Sequence, residues 1–161
     1  MNIGFILNGE DVVVRCGAMV RLIDILRNDF GLMGTKIGCL AGKCGLCTVI
    51  FNGSVSLSCL IPAFRLQKSE VITIEGFSLT DECQDIVSGF DEVELGGCEY
   101  CRTGKILLAG ALFGRSKRPS RDEILRTVDG VRCRCTDPGK LVEGMEKALE
   151  TRMRRLYGRS V

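Results

Sequence analysis

The chain has no histidine and no tryptophan, and only three prolines, two tyrosines and seven phenylalanines among its 161 residues. Without histidine it cannot carry Ser-His-Asp or Cys-His catalysis, a Cys/His zinc finger or Rieske-type ligation on its own residues. Long apolar runs are missing too: a membrane helix needs about 18 or more such residues, and Ile106–Phe113 is far too short. Met1–Arg15 has no basic stretch leading into an apolar core, so no signal peptide and a cytoplasmic location are expected. An excess of one charge is also absent. Lys plus Arg total 22 against 20 for Asp plus Glu, which does not suggest nucleic acid as the main partner. A hydrophobic content of 45% with 26% charged residues is that of a globular chain, not a disordered one.

What the sequence does have is cysteine, ten in all. In a chain with no expected export signal, that many cysteines are metal ligands or redox groups rather than structural disulfides. They fall into two groups, and the secondary-structure signals change between them. Ile3–Leu7 and Val12–Val14 alternate like strands around an Asn8-Gly9 turn. Met19–Phe30 has helical spacing, with Leu22, Ile23, Ile25, Leu26 and Phe30 on its buried side and Gly31 as a stop. A glycine-rich loop, Gly34–Gly45, precedes a second hairpin, Thr48–Phe51 and Ser54–Leu57 around Asn52-Gly53, and Val71–Glu75 is one more short strand. Beyond Gly76 only helices are expected, over Thr80–Phe90, Cys101–Phe113, Arg121–Val128 and Gly139–Tyr157. Ser120 and Glu123 form a capping box and Pro138 takes a first-turn position. The expected class is α+β, with a mixed domain over 1–76 and an all-helical domain over 77–161.

Cys39, Cys44, Cys47 and Cys59 are spaced C-x4-C-x2-C-x11-C, the plant-type ferredoxin spacing for one [2Fe–2S] centre. A loop that wraps a compact charged core must turn its backbone N–H groups toward the sulfurs, and Gly38, Gly42 and Gly45 supply the backbone freedom and close approach. A four-cysteine zinc site would use the same ligand type, but zinc ribbons pair two C-x2-C knuckles rather than three cysteines in one loop. A phosphate loop is excluded because Lys43 is followed by Cys44, not Ser or Thr. The second group pairs Cys98 and Cys101 (C-x2-C) with Cys133 and Cys135 (C-x-C) across a 31-residue gap, each pair near a helix start. Taken alone, this pattern leaves an iron–sulfur centre, a structural zinc and a redox dithiol open.

Together, GCLAGKCGLCTV, SCLIPA around Cys59, ITIEG at 72–76, CEYCRTGKIL from Cys98 and DEILRTVDGVRCRC ending at Cys135 resemble the iron–sulfur subunit of the molybdenum hydroxylases, the xanthine dehydrogenase and aldehyde oxidoreductase family. The resemblance implies a β-grasp ferredoxin domain followed by a four-helix bundle, with two [2Fe–2S] clusters held by the eight grouped cysteines. It also implies a large molybdopterin-binding partner near the helical cluster and a flavin (FAD) subunit or other acceptor near the ferredoxin-like one. The family commonly has Gln where this chain has Gly97, and CGFCTPG and CRCTGY where it has CEYCRTG and CRCTDP. The expected function is single-electron relay with no catalytic residue of the chain's own. A free-standing ferredoxin-type carrier and a zinc assembly module are the alternatives. Cys16 and Cys83 are expected as small buried hydrophobes, and Arg152, Arg154, Arg155 and Arg159 as a solvated or subunit-facing helix end.

Overall fold

The computed structural model describes residues 1–158. Two hairpins and a lone strand make one five-stranded mixed sheet. Strands β1 (Asn2–Leu7) and β2 (Glu10–Arg15) pair antiparallel around Asn8-Gly9, and β3 (Thr48–Phe51) and β4 (Ser54–Leu57) around Asn52-Gly53. All four turn residues have positive φ, the geometry that two-residue hairpins need. The fifth strand, β5 (Glu70–Ile72), lies between the hairpins, parallel to β1 and antiparallel to β3, in the order β2-β1-β5-β3-β4.

Two expected elements end differently. The first helix, α1, starts at Leu22 rather than Met19 and widens from α to i→i+5 geometry over Ile25–Asp29. Leu22 and Ile23 in the α turn and Ile25 and Leu26 in the wider one are all buried, whereas Met19 is exposed. Strand β5 stops before Glu75. The Asn8 side chain accepts the Thr73 N–H at 2.8 Å and starts a helical turn, α2 (Ile74–Phe77), so Ile74 and Glu75 are not strand residues.

The rest is helical: α3 (Asp81–Glu92), α4 (Glu99–Arg115), α5 (Arg121–Val128) and α6 (Pro138–Tyr157). Side-chain caps set their starts: Thr80 for α3, a complete Ser120/Glu123 capping box for α5, and Asp137 with Pro138 in the first turn for α6. The apolar run Ile106–Phe113 is buried at the centre of this half. Among the described residues no helix is long and apolar enough to cross a membrane.

One face of the sheet and α1 enclose a core of Ile3, Phe5, Leu7, Leu22, Leu26, Val49 and Val71. On the other side Ile50 and Phe77 join the helical core of Ile86, Phe90, Leu107, Phe113, Ile124 and Met145, so the halves pack through apolar contact. Cys83 is buried in that helical core and Cys16 packs, partly buried, against the sheet core. The basic end of α6 is not simply solvated. Arg152 lies over the Phe113 ring, donates to its carbonyl at 2.9 Å and faces Glu82. Arg155 donates twice to the buried Asp85, because α3 presents its acidic face one helix away. Arg154 is exposed and enters no ion pair among the described residues, whereas Arg155 is exposed at its edge but paired; Arg159 lies outside them.

Candidate metal centres

The Gly34–Gly45 loop has no regular structure and is anchored at its start by Glu75, which accepts the Gly34 N–H at 2.7 Å. Within it the backbone turns onto sulfur. Cys39 Sγ accepts the N–H of Ala41 at 3.4 Å and of Lys43 at 3.2 Å, and Cys44 Sγ accepts that of Cys39 at 3.4 Å. The Ala41 and Lys43 donors bring the exposed Cys39 thiol down to about 6. Hairpin pairing of Thr48 with Leu57 sets Cys47, just before β3, beside Cys59, just after β4. Both are buried against Ile23, and burial pushes the Cys47 thiol up to about 11.

The loop is tight enough to require what it lacks. A Cβ on Gly38 would sit 2.8 Å from Cys44 Sγ, and one on Gly42 2.5 Å from Leu60 Cδ1. Leu40 itself has φ +52, a strained setting for a branched side chain and a sign of functional geometry that the sequence does not announce.

The second set gathers at the start of α4. Cys98 is the N-cap and Cys101 lies inside the first turn, so the helix begins at Glu99 and not at Cys101 as its spacing suggests. Their sulfurs are 3.7 Å apart, Cys135 Sγ is 3.6 Å from Cys98 Sγ, and these three lie within 4.8 Å of one another. Sulfurs on one tetrahedral ion, with metal–sulfur bonds of about 2.3 Å, stand about 3.8 Å apart, so this spacing suits metal ligation. Cys133 stands outside the triplet, joined to Cys101 through Lys105, whose Nζ donates to Cys133 Sγ at 3.0 Å and to Cys101 Sγ at 3.4 Å.

Local surroundings divide the second set. Burial raises the Cys101 thiol, and the neighbouring Cys98 raises Cys135. The Cys101 N–H lowers Cys98. At Cys133 burial acts upward, but the Lys105 ammonium and the Cys135 N–H outweigh it and bring the thiol to about 7. Gly97, before the first of these cysteines, has φ +152, and a Cβ there would meet Thr136 Oγ1 at 2.9 Å. Lys105 and Thr136 are the site residues that motif reading misses. The available signal was a lysine four residues after Cys101, at the start of the apolar run Ile106–Phe113.

The two sets adjoin. The Arg132 N–H donates to the Cys44 carbonyl at 3.0 Å, and a Cβ on Gly45 (φ +76) would lie 2.0 Å from the Gly130 carbonyl oxygen.

Residues 5–72 match the 2Fe-2S iron-sulfur cluster binding domain family and residues 73–146 the [2Fe-2S] binding domain family. The nicotinate dehydrogenase small FeS subunit of Eubacterium barkeri is 38% identical over 144 residues, covering 89% of this chain and 92% of that one. A probable xanthine dehydrogenase subunit of Bacillus subtilis is 34% identical over 140 residues, 84% of this chain and 78% of its own length. In three dimensions the chain is similar to a chain of quinoline 2-oxidoreductase from Pseudomonas putida 86, with TM-score 0.85 and 30% identity over 100% of this chain and 98% of that one. Two cysteine-lined sites on an α+β frame, two iron–sulfur domain matches and relatives along nearly the whole length agree: the chain belongs to the small iron–sulfur subunits of molybdenum hydroxylase-type oxidoreductases, whose work is electron transfer.

Proposed function

We propose that the chain holds two [2Fe–2S] clusters, one on Cys39, Cys44, Cys47 and Cys59 and one on Cys98, Cys101, Cys133 and Cys135. The unit over 1–76 would carry the first and the unit over 77–161 the second. They would relay electrons from a molybdopterin-binding subunit to a flavin (FAD) subunit or another acceptor. One observation supports this reading: the loop that carries Cys44 adjoins the segment that carries Cys133, with the Cys44 carbonyl accepting the Arg132 N–H at 3.0 Å.

When bound, each cluster supplies a one-electron redox centre. The chain's own residues do the rest. The N–H groups of Cys39, Ala41 and Lys43 stabilise charge on Cys39 and Cys44, while burial of Cys47 and Cys59 keeps water from the inner side. Cys98 and Cys135 are exposed, so the helical site opens to the surface where a partner's cofactor can approach. The relatives' names, subunits of nicotinate and xanthine dehydrogenases, support a large partner that performs the hydroxylation.

The test is metal and sulfide analysis with electron paramagnetic resonance on anaerobically purified complex. About four irons and four sulfides per chain are expected, with two signals on reduction. Cys44→Ser should remove one signal and Cys133→Ser the other. Stoichiometric zinc, or loss of both signals from either single change while the other half stays folded, refutes the assignment. Molybdenum and flavin in the co-purifying subunits test the two ends of the relay.

A further inference from the structure

Lys105 is a cation without a carboxylate. Its residue is 3% exposed, and among the described residues it forms no ion pair with Asp or Glu within 4.0 Å. Its ammonium instead donates to Cys133 Sγ at 3.0 Å, to Cys101 Sγ at 3.4 Å and to Thr136 Oγ1. An ammonium has three protons to donate, and here all three have acceptors. Thr136 is itself held, because its hydroxyl donates to the Gly96 carbonyl at 2.8 Å. The arrangement therefore leaves Lys105 little room to swing away. It stands one helical turn beyond Cys101 on the same face of α4, so the helix itself aims it at the sulfurs.

A buried charge is costly unless opposite charge is beside it. Among the described residues the groups beside it that can carry opposite charge are the Cys101 and Cys133 sulfurs. Among the described residues the first cysteine set has no counterpart: its sulfurs accept hydrogen bonds from backbone N–H groups, which are dipoles and carry no net charge.

Building on the two-cluster reading, we infer that Lys105 is a fixed positive charge that favours the reduced state of the helical-half cluster and so sets its potential apart from that of the ferredoxin-like one. The electron added on reduction makes the centre one charge more negative. A cation in contact with two of its sulfurs stabilises that state more than the oxidised one. Lys105 touches no substrate; it acts through Cys101 and Cys133.

The experiment is a redox titration of the whole purified complex followed by electron paramagnetic resonance, with dithionite as the reductant, for wild type, Lys105→Met, Lys105→Gln and Lys105→Arg. The signal lost in Cys133→Ser identifies the helical-half cluster. Lys105→Met and Lys105→Gln should make that cluster harder to reduce by at least tenfold, about 59 mV for one electron. The other signal should move less than threefold and iron content should not change. Lys105→Arg, which keeps the charge, should stay within threefold of wild type. Midpoints unmoved in Lys105→Met and Lys105→Gln at full iron content overturn the inference. So does loss of the signal in all three variants, since the side chain would then serve assembly rather than charge. A wild-type protein lacking iron at this site would overturn the two-cluster reading itself, a result visible before any variant is made.

Discussion

Gly45 gives the most demanding test of how the two halves meet. It has φ +76, and a Cβ placed on it would sit 2.0 Å from Gly130 O and 2.8 Å from Val131 Cα, both backbone atoms that cannot rotate away. Gly53, in the β3–β4 turn, has nearly the same φ, +74, and nothing within 4 Å of such a Cβ. The pair separates two costs that are usually mixed. Gly53→Ala should cost only the left-handed backbone penalty, about 1–2 kcal/mol. Gly45→Ala should add overpacking of about 1–3 kcal/mol and strain on the Arg132 N–H to Cys44 carbonyl bond, worth about 1 kcal/mol. For a chain of this size about 1 kcal/mol moves the melting midpoint by roughly 2–4 °C. Gly53→Ala should therefore fall by about 4 °C and Gly45→Ala by about 10 °C in cluster-loaded protein, read by circular dichroism at one fixed heating rate. Iron measured in parallel separates a packing defect from lost metal. Equal midpoints for the two variants at full iron content would refute the contact between the loop and the Gly130–Val131 backbone.

Two further outcomes follow from the same geometry. In iron-free protein Cys39, held at about 6 by the Ala41 and Lys43 N–H groups, is mostly thiolate at neutral pH, whereas Cys47, raised to about 11 by burial, stays protonated. Since only the thiolate reacts, alkylation read by mass spectrometry at about pH 7 should reach Cys39 first and Cys47 last, and should slow at Cys39 as the pH falls below about 6; Cys39 reacting no faster than Cys16 would refute the loop's effect. On α6, Arg155→Ala leaves Asp85 buried without its guanidinium partner. Arg155 is itself 37% exposed, which discounts the pair to about 1–3 kcal/mol. The exposed Arg154→Ala should change stability by no more than about 0.5 kcal/mol, so equal melting midpoints for the two would remove the ion pair from the account.

What could be read in the sequence was local chemistry. Asn8-Gly9 and Asn52-Gly53 specify their turns through their own backbone preferences, and Ser120 with Glu123 forms a cap within four residues, so both survive folding unchanged. Elements whose ends depend on distant partners were not legible. Thr73 leaves the strand because Asn8, 65 residues earlier, accepts its N–H. Arg152 and Arg155 look like a solvated tail until α3 is placed beside α6 and offers Glu82 and Asp85. Lys105 looks like an ordinary polar residue ahead of an apolar run, and becomes a site residue only when the chain returns with Cys133 and Thr136.

The contact between the halves also bears on why one short chain should carry two cysteine sets instead of two chains carrying one each. Linked domains without a packed interface move relative to one another by default. A relay between them would then sample many separations. Here Ile50 and Phe77 share the helical core, so the sheet cannot slide over α4 without exposing apolar surface. The backbone contact at Gly45 and Gly130 adds a steric stop, and the Arg132 N–H to Cys44 carbonyl bond adds direction. That bond leads from a cysteine of the first set, through one hydrogen bond of 3.0 Å, to the residue covalently joined to Cys133 of the second. A side chain at Gly45 would force these backbones apart and lengthen that link. On the proposed two-cluster reading, the glycine would serve the relay as much as the loop.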